Sequence, residues 1–90
     1  MRVRFAKKFD KLYDRAPIKI PQAFNKRLEL FIQNQFHPQL NNHKLTGLFK
    51  GYRSINVTGD WRAIYSEYKD KDDEIVIVFE LLGTHSQLYK

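Results

Sequence analysis

Ninety residues carrying 16 Lys/Arg against 10 Asp/Glu give a net charge of +6, with 42% apolar content, enough for one small core. The chain has no cysteine, which excludes a disulfide framework and cysteine-rich metal sites, and no apolar run near the roughly 18 residues of a membrane span. Residues 1–54 hold 12 Lys/Arg against 3 Asp/Glu, net +9, and residues 55–90 hold 4 against 7, net −3, a polarity that suits nucleic acid or an acidic protein.

Met1-Arg2-Val3-Arg4-Phe5 has no apolar segment behind it, so no signal peptide is expected, and the expected setting is the cytoplasm. Arg2 to Phe5 alternates charged and apolar residues, which predicts a short strand. Phe5, Phe9 and Leu12, with Tyr13 beside them, then recur at helical spacing. They predict a helix over about Lys7–Arg15, ended by Pro17. A second helix is expected from near Pro21, a residue that suits a first turn. Phe24, Leu28 and Ile32 mark its buried stripe, widened by Phe31, and it should fade near Gln35 before Pro38.

His37 to Gly51 is polar and has no period, and reads as a loop. Tyr52 to Val57 alternates Arg53, Ile55 and Val57 against Tyr52, Ser54 and Asn56, as a strand with one apolar face does. Thr58-Gly59-Asp60 is a tight-turn signal, and Trp61 to Tyr68 is aromatic and branched, as in a strand. Lys69-Asp70-Lys71-Asp72-Asp73 reads as a solvated hairpin tip. Ile75 to Leu82 is apolar on both faces, as a central strand is. It is expected to stop at Gly83, whose backbone freedom lets the chain turn. The order is β-α-α-β-β-β. It predicts one α+β domain over residues 1–90, a helix hairpin packed on one face of a mainly antiparallel four-stranded sheet.

The turn after Gly83 delivers His85, rigidly supported and solvent-facing, a placement that suits a catalytic group or a plain turn cap. With the helices on one face, the other face or its rim is left for a ligand. Lys44, Lys50, Arg53, Asn56, Asp60, Arg62, His43, His85 and Tyr89 are the polar side chains that could converge there. They suit RNA cleavage by the substrate's own 2′-hydroxyl. That reaction needs a base for the hydroxyl proton, an acid for the leaving 5′-oxygen and cations for the charge growing on phosphorus. No metal or cofactor is called for, and His37 and His43 lack a recognisable ligand spacing. Each candidate also has a structural reading. Trp61 fits a base stack or the core; Asp60 fits a proton relay or a turn; Arg53 and Arg62 fit phosphate or a sheet edge; Tyr89 fits a stack, a proton donor or tail packing. Residue chemistry alone describes a basic α+β domain suited to RNA.

Leu45-Thr46-Gly47, Lys50-Gly51-Tyr52-Arg53-Ser54, Gly59-Asp60-Trp61-Arg62-Ala63-Ile64-Tyr65 and Gly83-Thr84-His85-Ser86-Gln87-Leu88-Tyr89, taken in this order, resemble the RelE/ParE toxin superfamily. The branch they resemble is the YafQ-like mRNA interferases of bacterial type II toxin–antitoxin systems, over nearly the whole chain. The resemblance implies a toxin that cuts messenger RNA in the ribosomal A site, leaving a 2′,3′-cyclic phosphate, and a cognate antitoxin that neutralises it. It implies functional roles for His43, Asp60, Trp61, His85 and Tyr89. Some members carry a histidine four residues before the Asp of Asp-Trp, where this chain has Asn56, which cannot exchange a proton near neutral pH. Proton transfer then rests on His85, shared with His43 or Asp60. Two other readings stand beside this one, a ParE-like toxin acting on DNA gyrase and an inactive RNA- or antitoxin-binding module.

Overall fold

The computed structural model describes residues 1–89. Strand β1 spans Arg2–Phe5, and helix α1 spans Lys7–Arg15. Ala16 closes α1 with an extended backbone, as a residue ahead of proline must, while Asp10 and Arg15 lie at the ends that favour their charges. Helix α2, Lys19–Gln33, begins two residues before Pro21. Proline is tolerated there because a first-turn residue needs no N–H partner. The buried residues of α2 are Ile20, Phe24 and Phe31; the expected stripe residue Ile32 is 57% exposed. That correction is one of phase: packing against the sheet rotates the helix onto Phe31 and turns its neighbour outward.

The region expected as a loop holds a further strand. β2 is only His43–Lys44, paired antiparallel to β3, Arg53–Asn56. Two residues cannot display a period, so this strand is silent in the sequence. Two short 3-10 turns flank it, Pro38–Leu40 and Gly47–Phe49, and the first buries Leu40 completely. Gly47 (φ 65°) and Gly51 (φ 95°) bracket the second turn in left-handed conformations that a side chain disfavours. The sheet continues through β4, Trp61–Lys69, and β5, Ile75–Thr84, in the order β1-β5-β4-β3-β2. It therefore has five strands, one more than expected, with β1 parallel to β5 and the remaining pairs antiparallel.

The core lies between the helix pair and this sheet. Phe79 on β5 is its hub, with ring centroids 5.2 Å from Phe24, 5.8 Å from Phe9, 5.6 Å from Phe31 and 5.5 Å from Tyr65. Complete burial of one such ring contributes roughly 1.5–3 kcal/mol. A bulge aids the packing. Ile64 pairs with Leu81 and Tyr65 with Phe79, leaving Glu80 as the extra residue. The skip lets Phe79 and Leu82, which a regular strand would send to opposite faces, both join the core. The other sheet face is partly roofed by Phe49 and Tyr52, over Ile64 and Leu81.

The charged 69–73 tip is stapled rather than merely solvated. Asp70 accepts the backbone N–H groups of Asp72 and Glu74 and a guanidinium N–H of Arg2. The Glu74 N–H, ahead of the Asp72 N–H and Arg2, holds the Asp70 carboxyl below the ordinary carboxylate range despite opposing desolvation. A depressed value means stability present above the unfolded pKa and lost as pH falls through the folded one. No helix among the described residues is long and apolar enough to cross a membrane.

Candidate active site

β5 does not stop at Gly83. The strand pairs Gly83 with Arg62 and Thr84 with Trp61 before helix α3, His85–Leu88, begins. Gly83 sits close under α3: a Cβ there would come within 3.1 Å of Gln87 Oε1 and 3.3 Å of the Leu88 side chain, a tight fit that those side chains would have to yield to. The turn itself is made by Thr84. Its Oγ1 accepts the Gln87 N–H at 3.1 Å while its own N–H donates to Gln87 Oε1 at 2.9 Å, a reciprocal cap.

His85 is thereby fixed by its backbone and left free at its ring. Its N–H donates to the Asp60 carbonyl at 3.0 Å, and its carbonyl accepts the Tyr89 N–H at 2.9 Å. The exposed ring lies 4.7 Å from the Tyr89 ring, centroid to centroid, and Tyr89 in turn meets Phe49 edge-on at 6.0 Å. Neither ring nitrogen of His85 is hydrogen-bonded to another described residue.

His43 arrives from β2. Its Nδ1 lies 2.8 Å from the Asn41 carbonyl oxygen. A carbonyl can only accept, so Nδ1 carries the proton and the neutral ring keeps its lone pair on Nε2. Asn41 presents that carbonyl from a left-handed conformation, φ 45°, which asparagine tolerates.

The two histidines line one open cleft of about 350 Å³ together with Lys44, Thr46, Arg62 and Tyr89. Arg62 Nη1 is shared among the carbonyls of Thr58 (3.1 Å), Gly59 (3.0 Å) and Trp61 (3.2 Å). This braces the β3–β4 turn whose Asp60 carbonyl holds His85, and it leaves Nε and Nη2 without a partner among the described residues. Lys50 and Arg53 lie next door, in a cavity of about 770 Å³ that shares Lys44, Leu45 and Thr46 with the first. Three expected site residues stand outside both linings. Asp60 is exposed on its turn, Trp61 packs half-buried against the core, and Asn56 keeps a buried Oδ1 with no partner.

A polar network behind the larger cavity escaped the sequence reading. Arg53 Nε donates to Asn42 Oδ1 at 2.8 Å, and its guanidinium sits 5.2 Å from the Phe36 ring centroid. Asn42 Nδ2 donates to the Tyr65 hydroxyl at 2.7 Å, and Gln35 Nε2 reaches the same hydroxyl at 3.0 Å and Glu67 Oε1 at 2.7 Å. No local pattern signals this, because its members come from the turn after α2, the following loop and two strands. Tyr65→Phe keeps the fully buried ring and deletes the shared acceptor. We expect it to cost about 1–2 kcal/mol, read as a lowered Tm, and to loosen Arg53.

A family model described as "Bacterial toxin of type II toxin-antitoxin system, YafQ" matches residues 1–90. The crystal structure of YafQ from E. coli strain BL21(DE3) is similar at TM-score 0.78 and 26% identity, covering 100% of both chains. The E. coli DinJ–YafQ complex is similar at TM-score 0.66 and 26% identity, again over 100% of both chains. A YoeB/ParE toxin from Agrobacterium tumefaciens shares the fold at TM-score 0.74 and 17% identity, covering 94% of this chain and 99% of that one. No curated protein matches the chain.

Proposed function

Because the chain belongs to the YafQ family of bacterial type II toxin–antitoxin toxins, we propose that it is a metal-independent endoribonuclease that cuts messenger RNA on the ribosome. The observation that carries this reading is one cleft lined by His43 and His85 with Lys44 and Arg62. His43 Nε2 takes the 2′-hydroxyl proton, the oxygen attacks the adjacent phosphorus, and the 5′-oxygen leaves as His85 protonates it. Electrons and protons balance: the P–O5′ bond breaks as the P–O2′ bond forms, and one proton enters at His43 as one leaves His85. Lys44 and the free side of Arg62 hold the phosphate and favour the charge that grows on it. Tyr89 packs its tilted ring against His85 and limits how that ring can turn.

The remaining candidates act at a distance. Lys50 and Arg53 hold the flanking backbone of the RNA, Asp60 and Trp61 support the turn that carries His85, and Asn56, outside both cavities, leaves proton transfer to the two histidines. A cognate antitoxin, as DinJ is to YafQ in the complexes described above, would neutralise the toxin. The basic first half of the chain suits an acidic or amphipathic segment of such a partner.

Brief induction in cells tests the reading directly. New messenger ends bearing 2′,3′-cyclic phosphate and 5′-hydroxyl groups are the expected result. Intact messages accompanied by broken DNA would move the chain to the gyrase-acting side of the superfamily, and intact messages with unbroken DNA would leave a binding module.

A further inference from the structure

The larger cavity carries a carboxylate that phosphate binding cannot explain. Glu67 lines it opposite the cations Lys44, Lys50 and Arg53. It is nonetheless not their counter-ion, since the only ion pairs within 4 Å among the described residues join Arg2 to Asp70 and Glu74. Gln35 instead holds Glu67 Oε1 at 2.7 Å, fixing the carboxylate from behind. Gln35 is itself tied to the Tyr65 hydroxyl at 3.0 Å, so the brace reaches into the core. An ionised carboxylate is a pure acceptor, and a preorganised one in a site for nucleic acid selects a ligand that presents N–H donors. Tyr52 also lines the cavity, and the Phe36 ring backs the Arg53 guanidinium, so planar surfaces stand beside the acceptor. Lys44, Leu45 and Thr46 line this cavity and the histidine cleft alike, so the two adjoin.

We infer that the larger cavity is a base-reading subsite in which Glu67 accepts a hydrogen bond from an exocyclic amino group of a nucleotide flanking the cut. This rests on the ribonuclease reading above and adds a specificity-determining residue to it. Adenine, cytosine and guanine carry such a group and uracil does not.

Ribosomes programmed with defined messages provide the test. At each position of the codon in turn, adenine is replaced by purine, which keeps the ring and lacks the amine. With the wild-type chain, one position is expected where the replacement slows cutting about tenfold, within the range of a single good base contact. With Glu67→Ala, the adenine message should fall to the rate of the purine message, so that the difference vanishes. Glu67 is exposed, and an unchanged Tm shows that the variant is folded. A wild-type chain indifferent to the amine at every position, or a variant with the same preference as wild type, overturns the base-reading role and leaves cleavage standing. A wild-type chain that cuts no message overturns both readings together.

Discussion

A message whose ribose carries 2′-deoxy at the cut position is expected to survive treatment that destroys its all-ribose twin. The proposed nucleophile is the substrate's own 2′-oxygen, and without it the proposed reaction has no attacking atom. In that mechanism His43 and His85 exchange protons, while Lys44 and Arg62, which line the same cleft, carry fixed charge. Binding should barely change, because both cavities meet the strand through cations and surfaces that the deletion leaves alone. The expected outcome is therefore loss of cutting below detection with the deoxy message still competing for the all-ribose one. Holding a substrate in line contributes on the order of 7–11 kcal/mol to lowering a barrier. An open cleft of about 350 Å³ does little of that unaided, so the comparison belongs on the ribosome. On free RNA, where no magnesium-dependent ribosome is involved, a chelator is expected to leave the residual rate unchanged. Cutting of the deoxy message would overturn the mechanism.

His85→Ala is expected to abolish toxicity with the fold and antitoxin binding retained. Removing a general acid lowers kcat about 10²–10⁴-fold. Stability should change little. The ring is exposed, the backbone of residue 85 is tied to Asp60 and Tyr89, and the Thr84–Gln87 cap holds α3 without it. His85→Gln should be as inactive, since an amide fills the space without exchanging protons. A variant that arrests growth as the wild type does at equal expression would remove His85 from the chemistry.

Much of the fold was legible because the period of the sequence changes where the elements do. Alternation through Arg2–Phe5 and helical spacing after Ala6 locate β1 and α1 at the residues where they lie. Features made by tertiary pairing were silent. β2 is two residues long, Leu40 is a core residue inside a polar stretch, and Ile32 loses its place to Phe31 only when α2 meets the sheet. Gly83 was expected to end the strand, but β5 runs through it to Thr84 and α3 packs closely over its backbone. The Thr84-x-x-Gln87 cap could have been read from spacing alone. At the site, histidine chemistry pointed to His43 and His85, but nothing local says that they share a cleft. Glu67 looks like any solvent-facing strand residue until Gln35 is seen behind it.

The parallel pairing of β1 with β5 also governs when this protein comes into being. β5 lies between β1 and β4, so the first strand to leave the ribosome has no neighbour until β5 has been made. Domains tend to fold from the N-terminus during synthesis, and distant strand pairings are slow. Here neither the aromatic hub at Phe79 nor the backbone seat of His85 can exist on a half-made chain. Helices α1 and α2 must wait with their apolar faces uncovered. A partner present during synthesis meets the helices before the sheet does.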